Sequence, residues 1–377
     1  MGGTGAGVTD ACQCASPGTL YTCGHRPRRG TRRHPAHRSA ARVSLRSAVT
    51  RDALPPPRGD RHPLIELMLT RVADGSRRGA RADSAIIALA IEGGGSRGVI
   101  SGGMCLLLEK AGLIDAVDVI YGTSSGALNG SFTAAGQAAL GSTNYLDTAN
   151  PQFANPLRML TGHAVFDFDF LFDELISNRK PYDAAGLAAG PSFRALGVDL
   201  ATSTSQVLRD FVDVEELIDA VRVSCSLPLL SDAPVSFRGK PMADGSLIES
   251  LPYATALAEE ATHVLVLRSR PSDFRRDPYP RALIELARRT AHPALAPLMQ
   301  ERPDRYNAEA EHLERIAAED PALVQIAPLQ GTPAVAQIEL SGRAIRQGLL
   351  AGTTAAAVAF GLAPVDVLWQ PEVYDTA

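Results

Sequence analysis

Between Val119 and Leu146 the sequence carries no charged residue, and this run constrains the fold more than any other stretch. It starts as a short apolar segment, residues 116–122, turns sharply through Gly122-Thr123-Ser124-Ser125-Gly126, and continues as a small-residue segment of helical character. A helix without a polar face must be covered on all sides, so the chain needs further layers around it. A similar unit comes before it. SAIIALAIEGGG (84–95) is a β-branched apolar run ending in three glycines, the pattern of a buried parallel strand entering a tight turn. In GVISGGMCLLLEKAGL, residues Ile100, Met104, Leu107 and Leu108 lie near helical spacing and Gly112 can cap the end, which predicts a helix. Strand, helix, strand, helix is an α/β pattern with a mostly parallel central sheet.

The remaining segments fit that layout. SFRALGVDLATSTSQVL reads as a strand then a loop, VEELIDAVRVSCSL as a helix, PVSFRGKPMADG as two short strands around Gly239-Lys240, and THVLVLRSR (262–270) as another buried strand. The stretch from Pro271 to Leu340 is expected to be largely helical, and a final helix should run from Leu340 to about Gly361. The apolar stretch 348–365 is interrupted by Gly, Thr-Thr and Pro, which predicts a packed helix rather than a membrane span. One domain over about 84–370 accounts for most of the 377 residues.

Residues 1–60 differ in kind. They are rich in Gly, Ser, Pro, His and Arg, show no periodicity, and are expected to be a disordered tail whose removal leaves activity intact. An organelle-targeting leader, or a true start at Met68, would equally account for them. Ten Arg and three Asp give this tail +7, so the overall −4 leaves −11 on the body. An acidic body argues against a nucleic-acid partner, because phosphate neutralisation needs a basic face. Cys12, Cys14, Cys23 and His25 miss the usual zinc spacings, so no metal is expected. With only Cys105 and Cys225 in the body, no disulfide framework is implied and a reducing cytoplasm fits.

Three motifs carry chemistry. Gly93-Gly94-Gly95-Ser96-Arg97-Gly98 can be parsed as a dinucleotide fingerprint, yet the end of the next strand holds Gly122 and Ser124 where a ribose-binding acid is needed. No Gly-Lys-Ser/Thr follows, which excludes a P-loop. What survives is a set of backbone amides at a helix N-terminus, suited to an anion. Gly122-x-Ser124-x-Gly126 between strand and helix has the context of a nucleophile elbow, with Ser124 as the hydroxyl; the plainer alternative is a helix N-cap. Asp244-Gly245-Ser246 ends KPMADGSLIESLP and would pass for an Asp-Gly turn if it stood alone. A serine nucleophile needs a base; His263, His292 and His312 follow Asp244, but none has a recognisable loop signature.

Together, and in this order, GGGSRG, GTSSGALNG, VRVSCSLP and ADGSLIESLP resemble the patatin-like phospholipase family, from about Ile86 to at least Arg270. The resemblance implies a three-layer α/β/α fold and a lipid acyl hydrolase active in lipid catabolism through a Ser-Asp dyad, with no cofactor. Ser124 would be the nucleophile and Asp244 the base. Gly94 and Gly95, with Arg97 nearby, would form the oxyanion hole, and Gly93, Gly98, Gly122, Gly126 and Gly245 are the motif glycines. The partner would be a lipid ester, either phospholipid, galactolipid or neutral lipid. One departure is visible: Ser246 stands where the family's third motif has Gly or Ala. The rivals are an α/β-hydrolase with a Ser-His-Asp triad and a lipid-binding protein without catalysis. Two flanking segments are suggestive. Residues 268–289 hold seven Arg against three acids and are expected to be a solvated helix face in preference to a peripheral membrane contact. HAVFDFDFLFDEL (163–175) is expected to pack as a cap near the pocket.

Overall fold

Both strand–turn–helix units stand at the centre of the computed structural model, which describes residues 61–362 except 162, 232 and 291. The chain divides into two units, 1–46 and 47–377, and every described residue belongs to the second. The expected tail, with Cys12, Cys14, Cys23 and His25, lies outside the described residues.

In chain order the elements are α1 (Pro63–Ala73), β1 (Ile87–Ile91), α2 (Val99–Lys110), β2 (Val119–Thr123), α3 (Ser125–Ala134), α4 (Ala138–Asp147), a π-helical segment (Asp169–Arg179), α5 (Ala184–Ala189), β3 (Ser192–Asp199), β4 (Thr204–Leu208), α6 (Val214–Cys225), β5 (Val235–Phe237) and β6 (Lys240–Asp244). Then follow α7 (Tyr253–Glu259), β7 (His263–Leu267), α8 (Arg281–Thr290), α9 (Leu295–Glu319), β8 (Leu323–Ile326) and α10 (Gly342–Phe360). The sheet order is β5-β6-β3-β2-β1-β7-β8, with β4 also on β3. Pairing is parallel from β3 through β2, β1 and β7 to β8, and antiparallel only around β4, β5 and β6.

Alternation along β1 shows the layers. Ile87, Leu89 and Ile91 pack with α1, α2, α3 and α10, while Ala88 and Ala90 face α7 and α9 on the other side. The architecture is the expected three-layer α/β/α arrangement with a mostly parallel sheet. From β1 the chain winds through β2 to β3 in one direction, and β7 and β8 lie on the opposite side of β1. The loops leaving the carboxyl ends of β1 and β7 therefore diverge, which opens a crevice where doubly wound sheets bind ligands.

Four expectations change. Residues 204–208 form a strand, pairing Leu196 with Val207 in an antiparallel hairpin; the run TSQVL is an edge whose polar residues hide the pattern. β8 lies inside the stretch expected to be helical, and four residues are too few to display a period. α1 packs ahead of residue 84, burying Leu64, Ile65, Met68, Leu69 and Val72. Its Arg71 is buried and donates to Ala116 O at 2.8 Å, to Asp118 at 2.7 Å and to Asp83. Finally, the Arg-rich segment becomes helical only at α8, where Arg288 and Arg289 pair with Glu285. Arg268 is fully buried, so this run is only partly a solvated face. Among the described residues no helix is long and apolar enough to cross a membrane.

Candidate active site

Ser124 sits between β2 and α3 with φ 57° and ψ −134°, a conformation that costs a non-glycine residue about 1–3 kcal/mol. The neighbours enforce it. A Cβ on Gly126 would stand 2.2 Å from Ile91 O, and one on Gly122 would stand 2.5 Å from Ala127 Cα, so only glycines let the helix start this close to the sheet. The Ser124 N–H donates to Ser224 Oγ at 3.0 Å, and the Ser224 hydroxyl donates to Leu196 O at 2.6 Å. The turn is thus tied to α6 and β3. The Ser124 side chain makes no capping hydrogen bond, which removes the N-cap reading.

Asp244 ends β6 opposite Gly197 of β3 and is 0% exposed. Its N–H donates to Ser226 O at 3.0 Å, so the VRVSCSLP segment holds both the serine turn and the aspartate. Oδ1 accepts the Ser246 N–H at 2.8 Å. Oδ2 is buried without a direct hydrogen bond among the described residues, while the Ser124 hydroxyl lies close enough to favour the ionised carboxylate. Burial raises the Asp244 pKa above the usual carboxylate range, opposed by the Arg302 charge, the Ser246 amide and hydroxyl, and the Ser124 hydroxyl. Ser246, the departure from the family pattern, has a partner: Arg302 of α9 donates to its carbonyl and to its Oγ, each at 2.8 Å. Gly245 packs directly on Leu196.

The glycine loop is only partly arranged as expected. Gly95, at φ 62°, shares the pocket wall with Ser124. The Gly94 N–H donates to Ser125 Oγ at 2.9 Å, so that amide is already satisfied. Arg97 Nε donates to Val335 O at 3.0 Å, and Arg97 does not line the pocket. Gly93 O accepts from Ser269 Oγ at 2.6 Å, and Gly98 packs against Ser125 and Tyr145. A strap from between β8 and α10 crosses this loop: Ser96 N–H donates to Gln337 O at 3.0 Å and Glu339 N–H to Ser96 Oγ at 3.2 Å.

The pocket beside Ser124 has an empty volume of about 590 Å³, including space open to solvent. Leu128, Phe153, Phe166, Phe168, Leu171, Leu227 and Leu230 supply its large apolar side chains. Phe153 and Phe166 stack at 5.0 Å, so the aromatic segment 163–175 does cap the pocket. Asn144 also lines it, 1% exposed, with both carboxamide atoms unpaired among the described residues. Cys225 is another wall residue, but burial, then the Asp244 charge, raises its thiol pKa well above normal, so it does not compete as a nucleophile.

The candidate histidines are elsewhere. His312 is bonded to Tyr253 OH at 2.9 Å, His292 accepts from Ala294 N–H at 3.3 Å, and His263 touches Thr262 at the start of β7, the end opposite the site. Among the described residues no histidine lines the pocket. Sequence reasoning missed Ser224, Arg302, Asn144 and the strap. Only Ser224 had a signal, its place in VRVSCSLP.

A serine on a strained strand-to-helix turn, a buried carboxylate beside it and an apolar pocket are thus brought together at the carboxyl ends of the strands of an α/β sheet. The patatin-like phospholipase family model matches residues 89–257. The Uncharacterized protein YjjU of Escherichia coli (strain K12) is 25% identical over 190 residues, 50% of this chain and 53% of that protein. The chain therefore spans about half the length of this curated relative. The crystal structure of VipD from Legionella pneumophila superposes with a TM-score of 0.35 at 10% identity, covering 74% of this chain and 68% of VipD.

Proposed function

We propose that the chain is a lipid acyl hydrolase that cleaves carboxylic esters through Ser124 and Asp244. The observation that carries this reading is the pairing of a strained Ser124 with a buried Asp244 whose Oδ2 is unfilled. Ser124 Oγ attacks the ester carbonyl carbon while Asp244 takes the hydroxyl proton. The tetrahedral oxyanion is stabilised by the Gly95 amide and the N-terminus of α3; Gly94 joins them by exchanging its Ser125 acceptor. Collapse expels the alcohol, which takes the proton from Asp244 and leaves an acyl-Ser124 ester. Asp244 then deprotonates water, which attacks that ester, and the proton returns to Ser124 as the fatty acid leaves.

A free Asp, with a pKa of about 3.9, is a weak base at neutral pH, and burial makes Asp244 stronger. The apolar wall suits an acyl chain. Lipid degradation belongs to the same reading, as does a cytoplasmic setting with peripheral contact to the lipid surface.

The test is turnover of p-nitrophenyl esters by the wild-type protein, Ser124→Ala and Asp244→Asn. Each variant should lose about 10³-fold or more, and retained turnover in either overturns the dyad. A fluorophosphonate probe should label Ser124 in the wild-type protein. Liposome binding without that label would favour a lipid-binding protein lacking catalysis.

A further inference from the structure

The dyad uses no cation, yet four arginines gather beside it. Arg97 belongs to the glycine loop after β1, Arg270 and Arg276 to the loop after β7, and Arg302 to α9, where it holds Ser246. They lie at the diverging carboxyl ends of β1 and β7 or against the residue that follows Asp244-Gly245. Their surroundings are one-sided. Arg270 lies over the Phe274 ring at 3.7 Å and Arg276 over the Tyr306 ring at 4.4 Å. The Nε of each is buried without a hydrogen-bond partner among the described residues. Arg97 has the Val335 carbonyl, and Arg302 has Ser246 and the Tyr279 hydroxyl.

Among the described residues, no carboxylate forms a salt bridge with any of the four. Their neighbours in sequence are different: Arg275 pairs with Glu314, Arg305 with Glu301, and Arg288 and Arg289 with Glu285. The nearby carboxylate, Glu92, is already engaged by Arg268, by the Ser269 N–H at 2.8 Å and by Tyr306 OH at 2.9 Å. The unpaired charges also oppose one another. Burial, then the neighbouring guanidiniums Arg302 and Arg270, lowers the Arg276 pKa to about 10; burial, then Arg97, lowers that of Arg270 to about 10. Gathering like charges where they lose water is unfavourable without an anion to offset them. All of Arg97, Arg270 and Arg276 remain partly exposed, so an anion can reach them.

We propose that Arg97, Arg270, Arg276 and Arg302 form a phosphate-binding site beside the dyad. Several guanidiniums converging from three segments match an anion with three or four acceptor oxygens better than a carboxylate, which offers two. The phosphate comes either from a lipid headgroup or from free phosphate. Its lipid form rests on the hydrolase reading above; phosphate binding itself does not.

The experiment uses the full chain with Ser124→Ala, so that nothing is consumed. Inorganic phosphate is titrated calorimetrically, and sedimentation is measured with phosphatidylcholine vesicles containing or lacking phosphatidic acid. Saturable phosphate binding is expected, together with vesicle binding that requires phosphatidic acid. Arg270→Gln and Arg276→Gln, checked for folding by circular dichroism, should each weaken both by about tenfold. Arg276→Lys should recover part of the loss, because it keeps the charge and loses the fork.

Phosphate binding without phosphatidic-acid dependence supports the site with free phosphate as its ligand. Absence of binding to both probes by the folded chain carrying only Ser124→Ala overturns the site, as does unchanged binding when Arg270→Gln or Arg276→Gln is added to it. The hydrolase reading has its own readout, turnover of an uncharged p-nitrophenyl ester. Its failure with phosphate binding intact sinks that reading and leaves the site standing.

Discussion

The two sides of the Ser124–Asp244 pair are physically opposite. One side is a wall of Phe153, Phe166, Phe168, Leu171 and Leu227. The other is a group of arginines, Arg270 over Phe274 and Arg276 over Tyr306 among them, with no carboxylate ion-paired to them among the described residues. On the proposed reading, an ester held between them would be gripped as an amphiphile, its chain on the apolar side and its charge on the basic side. The comparison teaches that two environments, and not the serine turn alone, would choose the substrate.

The largest effect is expected at the seam itself, where Ser124→Ala should abolish turnover while binding on both sides persists. Next comes Arg302→Met, which breaks the link between the basic side and Asp244. It removes two hydrogen bonds to Ser246 and a charge that lowers the Asp244 pKa. The base must be ionised, so the rate rises with pH through a pKa already raised by burial and is lost as pH falls through it. Removing Arg302 raises that pKa further. The acid limb of the kcat–pH profile should therefore move to higher pH, with about tenfold less turnover just above the original limb. A profile that stays in place would separate Arg302 from Asp244.

On the apolar side, Phe166→Ala should cost about 3–5 kcal/mol of stability and raise KM for a medium-chain ester more than for acetate, read by urea melts and an ester chain-length series. Equal KM changes across the series would detach Phe166 from the acyl chain. The smallest effect is expected at Asn144, whose carboxamide interrupts that wall with no partner among the described residues. Asn144→Leu should stabilise the fold by about 1 kcal/mol and raise Tm by about 2 °C. A lower Tm would mean that the carboxamide is paired in solution.

Much of the candidate site was legible because its residues are local in sequence. Ser124 and the glycines on either side sit within five consecutive residues, and Asp244 is announced by its own turn. β1, β2 and β7 were readable as apolar runs. Ser224, Arg302 and the strap act through partners far away in the chain, and distance in sequence leaves no mark in composition or spacing. Charge counting also misled over residues 268–280: it registers how many arginines there are but not that Arg268, Arg270 and Arg276 turn inward. β4 was hidden by its polar edge and β8 by its brevity, while α1 was obscured by the unpatterned residues around it.

The strap over the glycine loop has a consequence in time. Gln337 and Glu339 brace Ser96 from a point in the chain more than 200 residues after it. On the ribosome, the serine turn and Asp244 can assemble while the segment that closes over Gly95 has yet to be made. A nascent chain therefore stays unfinished at its glycine loop until residue 339 has emerged, long after the segment matching the family model, which ends at residue 257, is complete.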